Sequence, residues 1–95
     1  MAVGMNIEIP GMTADVYDQV MANLDWGNAP DPPGFISHYA GPSDNGWFVF
    51  DTWESQQDFE NFARDRLMTA IGAAVDGEPP EVHPRFIPIH REEHA

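Results

Sequence analysis

The segment Gly46-Trp47-Phe48-Val49-Phe50-Asp51-Thr52-Trp53-Glu54-Ser55 constrains the fold more than any other part of this chain. It reads as a strand with large apolar groups on both faces that runs directly into a helix cap. Side chains alternate along a strand, so Trp47, Val49, Asp51 and Trp53 share one face while Phe48, Phe50 and Thr52 share the other. A sheet built around such a strand must be covered twice. The rest of the chain supplies helices for one cover, which leaves the second to a partner, most simply another copy of the same protein.

The flanking sequence fills in the frame. Val3, Met5, Ile7 and Ile9 alternate with Gly4, Asn6 and Glu8, the period-two pattern of a strand closed by Pro10-Gly11. Thr13 stands as an N-cap before Val16, Tyr17, Val20, Met21 and Leu24, whose spacing makes one apolar helix stripe, and Met12 can staple it from outside. Asp25 to Gly34 holds three prolines, two glycines and two aspartates and reads as a loop. Gly34 to Gly41 is a second strand, joined to the third as a hairpin through Pro42-Ser43-Asp44-Asn45. Ser55 opens a second helix with Asp58 three residues on, a capping-box variant, followed by Phe59, Phe62, Ala63, Leu67, Ala70, Ile71 and Ala74 on one face. Gly77 closes it, Pro79-Pro80 turn the chain, and Val82 to Arg91 form a last strand. Pro84 and Pro88 share a parity, so their missing N–H groups fall on one side, which suits an edge strand. The order is the α+β, ferredoxin-like βαββαβ pattern with a four-stranded antiparallel sheet, a single domain over residues 1–95.

Composition narrows the partners. Sixteen acidic residues against four arginines and no lysine give a net charge of -12, which argues against nucleic acid or an anionic membrane surface. The absence of cysteine removes disulfides, thiolate metal sites and cysteine nucleophiles. No signal-like start and no apolar run of about 18 residues is present, so a soluble cytoplasmic protein is expected. His83 and His90 fall on opposite faces of a regular strand and would not chelate one ion, so no metal site is expected.

The hairpin register decides which residues meet. With Gly41 opposite Gly46, His38 lies opposite Val49, Ala40 opposite Trp47 and Ile36 opposite Asp51, although a one-residue slip would exchange faces. One face then collects Phe35, Tyr39, Phe48 and Phe50, with Val3, Met5 and Ile7, and suits the helices. The other collects Ile36, His38, Ala40, Trp47, Val49, Asp51 and Trp53, with Asn6 and Glu8. Two tryptophans of roughly 150–250 Å² each, with Ile36 and Val49, would expose on the order of 500 Å², and about 1,000 Å² when doubled across a two-fold axis. A homodimer through this sheet face is therefore expected, enclosing a space lined by aromatics and a few polar groups, as small-molecule pockets are.

The runs Gly34-Phe35-Ile36-Ser37-His38-Tyr39-Ala40-Gly41-Pro42, Gly46-Trp47 to Trp53-Glu54-Ser55 with Phe59 and Phe62, and Ile87-Pro88-Ile89-His90 resemble the dimeric α+β barrel superfamily. Within it, the likeness is to small bacterial proteins related to antibiotic-biosynthesis monooxygenases. The resemblance implies a dimer and, among other activities of the group, oxygenation with no metal or organic cofactor. That chemistry needs a base, donors for the resulting anion and a dry aromatic pocket. His38 is the candidate base, with an ordinary pKa of roughly 6.5 suited to proton transfer. Asn6 is the candidate oxyanion donor and Trp53 shapes the site. Ile36, Trp47, Val49, Asp51 and His90 are candidate ligand-binding residues, with Asp51 able to orient a histidine. The expected function is a monooxygenase acting on a small aromatic substrate; the alternative is a non-catalytic ligand-binding or structural dimer, in which His38 makes one structural hydrogen bond and Trp47 and Trp53 are packing anchors.

Overall fold

The computed structural model describes residues 2–75 and 82–95, and the expected helix end at Gly77 and turn at Pro79-Pro80 lie outside them. The elements are β1 (Val3–Pro10), α1 (Ala14–Leu24), β2 (Phe35–Ser43), β3 (Gly46–Trp53), α2 (Gln56–Phe62), a π-helical turn (Ala63–Leu67), α3 (Met68–Ala74) and β4 (Arg85–Pro88). The sheet is antiparallel with order β2-β3-β1-β4, which is the ferredoxin-like arrangement. Its last strand lies at an edge, bounded by Pro84 and Pro88. Among the described residues no helix is long and apolar enough to cross a membrane.

Local chemistry sets the helix ends. Thr13 Oγ1 accepts from the Val16 N–H, and Ser55 Oγ accepts from the Asp58 N–H at 3.1 Å while its own hydroxyl donates to Asp58 Oδ2 at 3.0 Å. At the far end of α1, Asp25 takes a left-handed conformation with φ 55°. The Asp25 N–H then donates to Ala22 O and the Trp26 N–H to Met21 O, a Schellman closure after which the Trp26 ring packs edge-on against Phe35 and Phe62. The second helical stretch is continuous, but Met68 N–H reaches back to Ala63 O, the five-residue step of a π turn. A four-residue step drifts around an α-helix, and the wider π turn opposes that drift, so Phe59, Ala63, Leu67 and Ile71 stay over the sheet. The same turn carries Arg66, whose guanidinium donates to Pro30 O and Leu24 O and lies 5.7 Å from the Phe62 ring centroid. Arg66 thereby ties the 25–34 loop and the C-terminal end of α1 to this helix.

The hairpin register differs from the expected one. Ser43 lies opposite Gly46, because β2 runs on through Pro42-Ser43 and the loop shrinks to Asp44-Asn45, so His38 sits opposite Asp51 and Ala40 opposite Val49. A slip of two residues keeps His38 on the face of Asp51. A bulge at Ile36 then changes the parity, which places Phe35 opposite Trp53.

The assignment of faces is reversed. β1 pairs Val3 with Trp53, Met5 with Asp51, Ile7 with Val49 and Ile9 with Trp47, so the apolar stripe of β1 shares the tryptophan face. Helices cover that face: Met5, Ile7, Val49 and Trp53 pack with Val20, Leu24, Phe59, Phe62 and Ile71 in one core. A partner therefore cannot cover the Ile36–Trp53 face as expected from sequence, since most of it is already interior. The open face carries Tyr39, Phe48, Phe50, Thr52 and Ile87, with Tyr39 59% and Ile87 50% exposed. Phe48 and Phe50 lie flat there because Gly41 and Gly4 have no Cβ; one added at either would come within 3.0 and 3.1 Å of those rings.

Candidate functional site

Between the sheet and the helices is a cavity of about 400 Å³, within the usual range of about 300–1,000 Å³ for small-molecule sites. Met5, Ile7 and Val49 form its floor, Val20, Met21 and Leu24 one wall, and Phe59, Phe62, Ala63, Leu67 and Ile71 the other. Tyr17, His38 and Asp51 also line it, and they are joined to one another. His38 Nδ1 lies 2.6 Å from Asp51 Oδ1, and His38 Nε2 lies 2.5 Å from the Tyr17 hydroxyl. The second Asp51 oxygen, Oδ2, accepts from the Trp53 indole N–H at 3.2 Å.

Each member is placed by its element. Asp51 is 4% exposed near the C-terminal end of β3, opposite both Met5 and His38. A carboxylate so buried needs donors on both oxygens, and His38 and Trp53 supply them. Since the carboxylate only accepts, His38 donates from Nδ1, and in the neutral imidazole the bare Nε2 then accepts from the Tyr17 hydroxyl. Tyr17 descends from the α1 stripe; its ring is parallel to that of His38, meeting it end-on through the hydroxyl with centroids 6.1 Å apart, and tilts on Trp47 at 5.2 Å. Trp26, returned by the Schellman closure, lies 5.9 Å from the imidazole and closes the loop side of the cavity. Burial raises the pKa of the Tyr17 hydroxyl above the ordinary tyrosine value, and the negative charges of Asp51 and Asp18 push it the same way.

The structure thus brings His38, Asp51 and Val49 to one cavity. Trp53 is fully buried behind them, packed between Phe35, Phe59 and Phe62, and reaches the site through its bond to Asp51. Trp47 packs on Tyr17, and its buried indole nitrogen has no hydrogen-bond partner among the described residues. Ile36 is the bulge residue of β2, Asn6 faces the open side of the sheet between Phe50 and Arg85, and His90 is exposed beyond β4. Tyr17 and Trp26 are the site residues that sequence reasoning passes over. Tyr17 is the one phenol in an otherwise aliphatic stripe, and Trp26 directly follows the last turn of α1, where a Schellman closure returns an apolar side chain to its helix. Among the described residues no cluster of His, Asp or Glu is suited to a metal ion.

No established family profile matches the sequence, and no curated protein is similar to it. Solved structures are similar in fold. A point variant of SnoaB, a cofactor-independent oxygenase from Streptomyces nogalater, has 13% identity and a TM-score of 0.58 over 96% of this chain and 94% of that chain. The monooxygenase from ActVA-Orf6 of Streptomyces coelicolor, in complex with nanaomycin D, has 21% identity and a TM-score of 0.58 over 99% and 92%. MhuD, a heme-degrader from Mycobacterium tuberculosis with two hemes bound in its active site, has 18% identity and a TM-score of 0.56 over 99% and 100%. This chain shares its four-stranded, ferredoxin-like α+β fold with these structures.

Proposed function

We propose that the cavity binds a small aromatic molecule and that the protein is a cofactor-independent monooxygenase acting on it, with His38 as the base. The observation that supports this most is a hydrogen-bonded polar cluster, Tyr17–His38–Asp51, on a cavity whose walls are aliphatic and aromatic apart from Glu60 and Arg64. Asp51 holds the imidazole in the tautomer whose Nε2 takes up a proton and stabilises the imidazolium that results. The substrate anion so formed is the reductant. A ring CH2 becomes C=O, one atom of O2 is retained and the other leaves as water, and all the electrons come from the substrate. A haem-dependent role fits less well, because an axial ligand needs a free imidazole nitrogen and both nitrogens of His38 are engaged.

The alternative is ligand binding without turnover, and the position of Asn6 favours it, since the anion donor offered by the resemblance lies on the other face of the sheet. Oxygen consumption with a panel of polyphenols and anthrones separates the two. Turnover by the wild type that falls by about 10²–10⁴-fold in His38→Ala supports the enzyme. Equal uptake in both removes His38 from the reaction, and binding with no uptake for any compound leaves the ligand-binding reading. A second copy covering the open Tyr39, Phe48, Phe50 and Ile87 face completes the proposal.

A further inference from the structure

His38 has no nitrogen left to offer a ligand. Nδ1 is directed at Asp51 and Nε2 at the Tyr17 hydroxyl, and the Trp26 ring closes another side of the imidazole. A molecule in the cavity therefore meets the Tyr17 oxygen, which donates one hydrogen bond to His38 and keeps acceptor capacity toward the cavity.

We propose that Tyr17 is the residue that exchanges the proton with the ligand, as the outer member of a Tyr17–His38–Asp51 relay, and that the ligand is a hydroxylated aromatic whose acidic O–H hydrogen-bonds to the Tyr17 oxygen. This rests on the cavity being a site for an aromatic molecule. In the step, the ligand O–H bond breaks and its proton goes to Tyr17 Oη. The proton already on Tyr17 passes to His38 Nε2, and the imidazolium is held between Tyr17 and Asp51. The ligand is left as an aryloxide, and nothing is oxidised or reduced.

The surroundings favour a concerted transfer. His38 faces Tyr17 from β2, Asp51 lies behind it on β3, and Asp18 is on its own helix. The two carboxylates and burial disfavour a tyrosinate, so Tyr17 passes the proton without storing charge. Met5, Val49, Leu24, Phe62 and Leu67 give the ligand's rings apolar surfaces on several sides, and apart from Glu60 and Arg64 on the second helical stretch the polar lining is the relay end.

The test uses alizarin, a dihydroxyanthraquinone whose colour reports its ionisation, titrated into the wild type, Tyr17→Phe and His38→Gln at neutral pH. Binding is read separately from tryptophan fluorescence, to which Trp26 in the cavity wall contributes. Binding persists in both variants, and the aryloxide-to-phenol ratio of bound probe falls by about tenfold or more, at least one unit of ionisation equilibrium. Undiminished ionisation in Tyr17→Phe overturns the relay in favour of direct exchange with His38. Undiminished ionisation in His38→Gln overturns it in favour of Tyr17 acting alone, and remains readable if Tyr17→Phe does not fold. Wild type that binds alizarin without ionising it also refutes the relay while sparing the aromatic-site reading, whereas wild type that does not bind it removes both.

Discussion

Replacing Asp51 by asparagine keeps the shape of the side chain and changes what it can accept. Asp51 takes two hydrogen bonds, from His38 Nδ1 and from Trp53 Nε1, inside a strand where it is 4% exposed. Asparagine offers one acceptor oxygen and one NH2 group. Trp53 can only donate, so the oxygen stays with it, and the NH2 turns to His38, forcing the imidazole into the opposite tautomer with its proton on Nε2. Two charge-assisted bonds worth about 1.5–3 kcal/mol each become neutral ones worth about 0.5–1.5 kcal/mol. Relief of the buried charge offsets part of the difference, leaving a net loss of about 2 kcal/mol. In a domain of this size that lowers Tm by about 10 °C. Asp51→Leu instead leaves the Trp53 N–H without an acceptor and costs about 1–3 kcal/mol more. Thermal unfolding followed by near-UV circular dichroism, at one fixed protein concentration, measures both. An Asp51→Leu variant as stable as the wild type would refute the claim that Asp51 anchors His38 and Trp53.

Other expectations follow from single contacts. Because the folded-state pKa of Tyr17 is raised, its contribution to stability is complete below about pH 10 and falls as pH rises toward the folded value, since the unfolded chain loses that proton first. Alkaline denaturation is therefore less steep in Tyr17→Phe, and an identical alkaline limb would contradict the placement of Tyr17. Gly34 has φ +84°, and a Cβ there would collide with the Asp58 carboxylate that completes the Ser55 cap. Gly34→Ala should cost about 2–3 kcal/mol in urea unfolding from left-handed strain and the lost cap, and a neutral result would contradict that geometry. Tyr39→Glu combined with Ile87→Glu, on the open face, should convert a dimer to monomer in sedimentation at micromolar concentration; unchanged mass would place the second copy elsewhere.

The element order was legible because each signal is local: alternation in β1, side-chain caps at Thr13 and Ser55, and the two prolines that confine β4 to an edge. Which face of the sheet is interior was not. β3 is apolar on both sides, so its pattern cannot choose, and the choice comes from β1, whose Val3, Met5, Ile7 and Ile9 pair with Trp53, Asp51, Val49 and Trp47. The meeting of His38 with Asp51 depends on β2 continuing through Pro42-Ser43, which proline and serine do not announce. Tyr17 is invisible as a site residue within a stripe of aliphatic neighbours, because only the tertiary fold sets α1 over β2. The parity of Phe35 is hidden by a bulge that leaves no residue signature at Ile36.

In the proposed relay His38 is an acceptor toward Tyr17 and a donor toward Asp51, and it takes a proton when a hydroxylated aromatic binds. Nitrogen-15 NMR of the His38 ring reads this directly. In the free protein the expected ring is a neutral imidazole protonated at Nδ1 and bare at Nε2, which becomes doubly protonated when alizarin saturates the cavity. A ring protonated at Nε2 in the free protein, or one that stays neutral when ionised alizarin is bound, would contradict it.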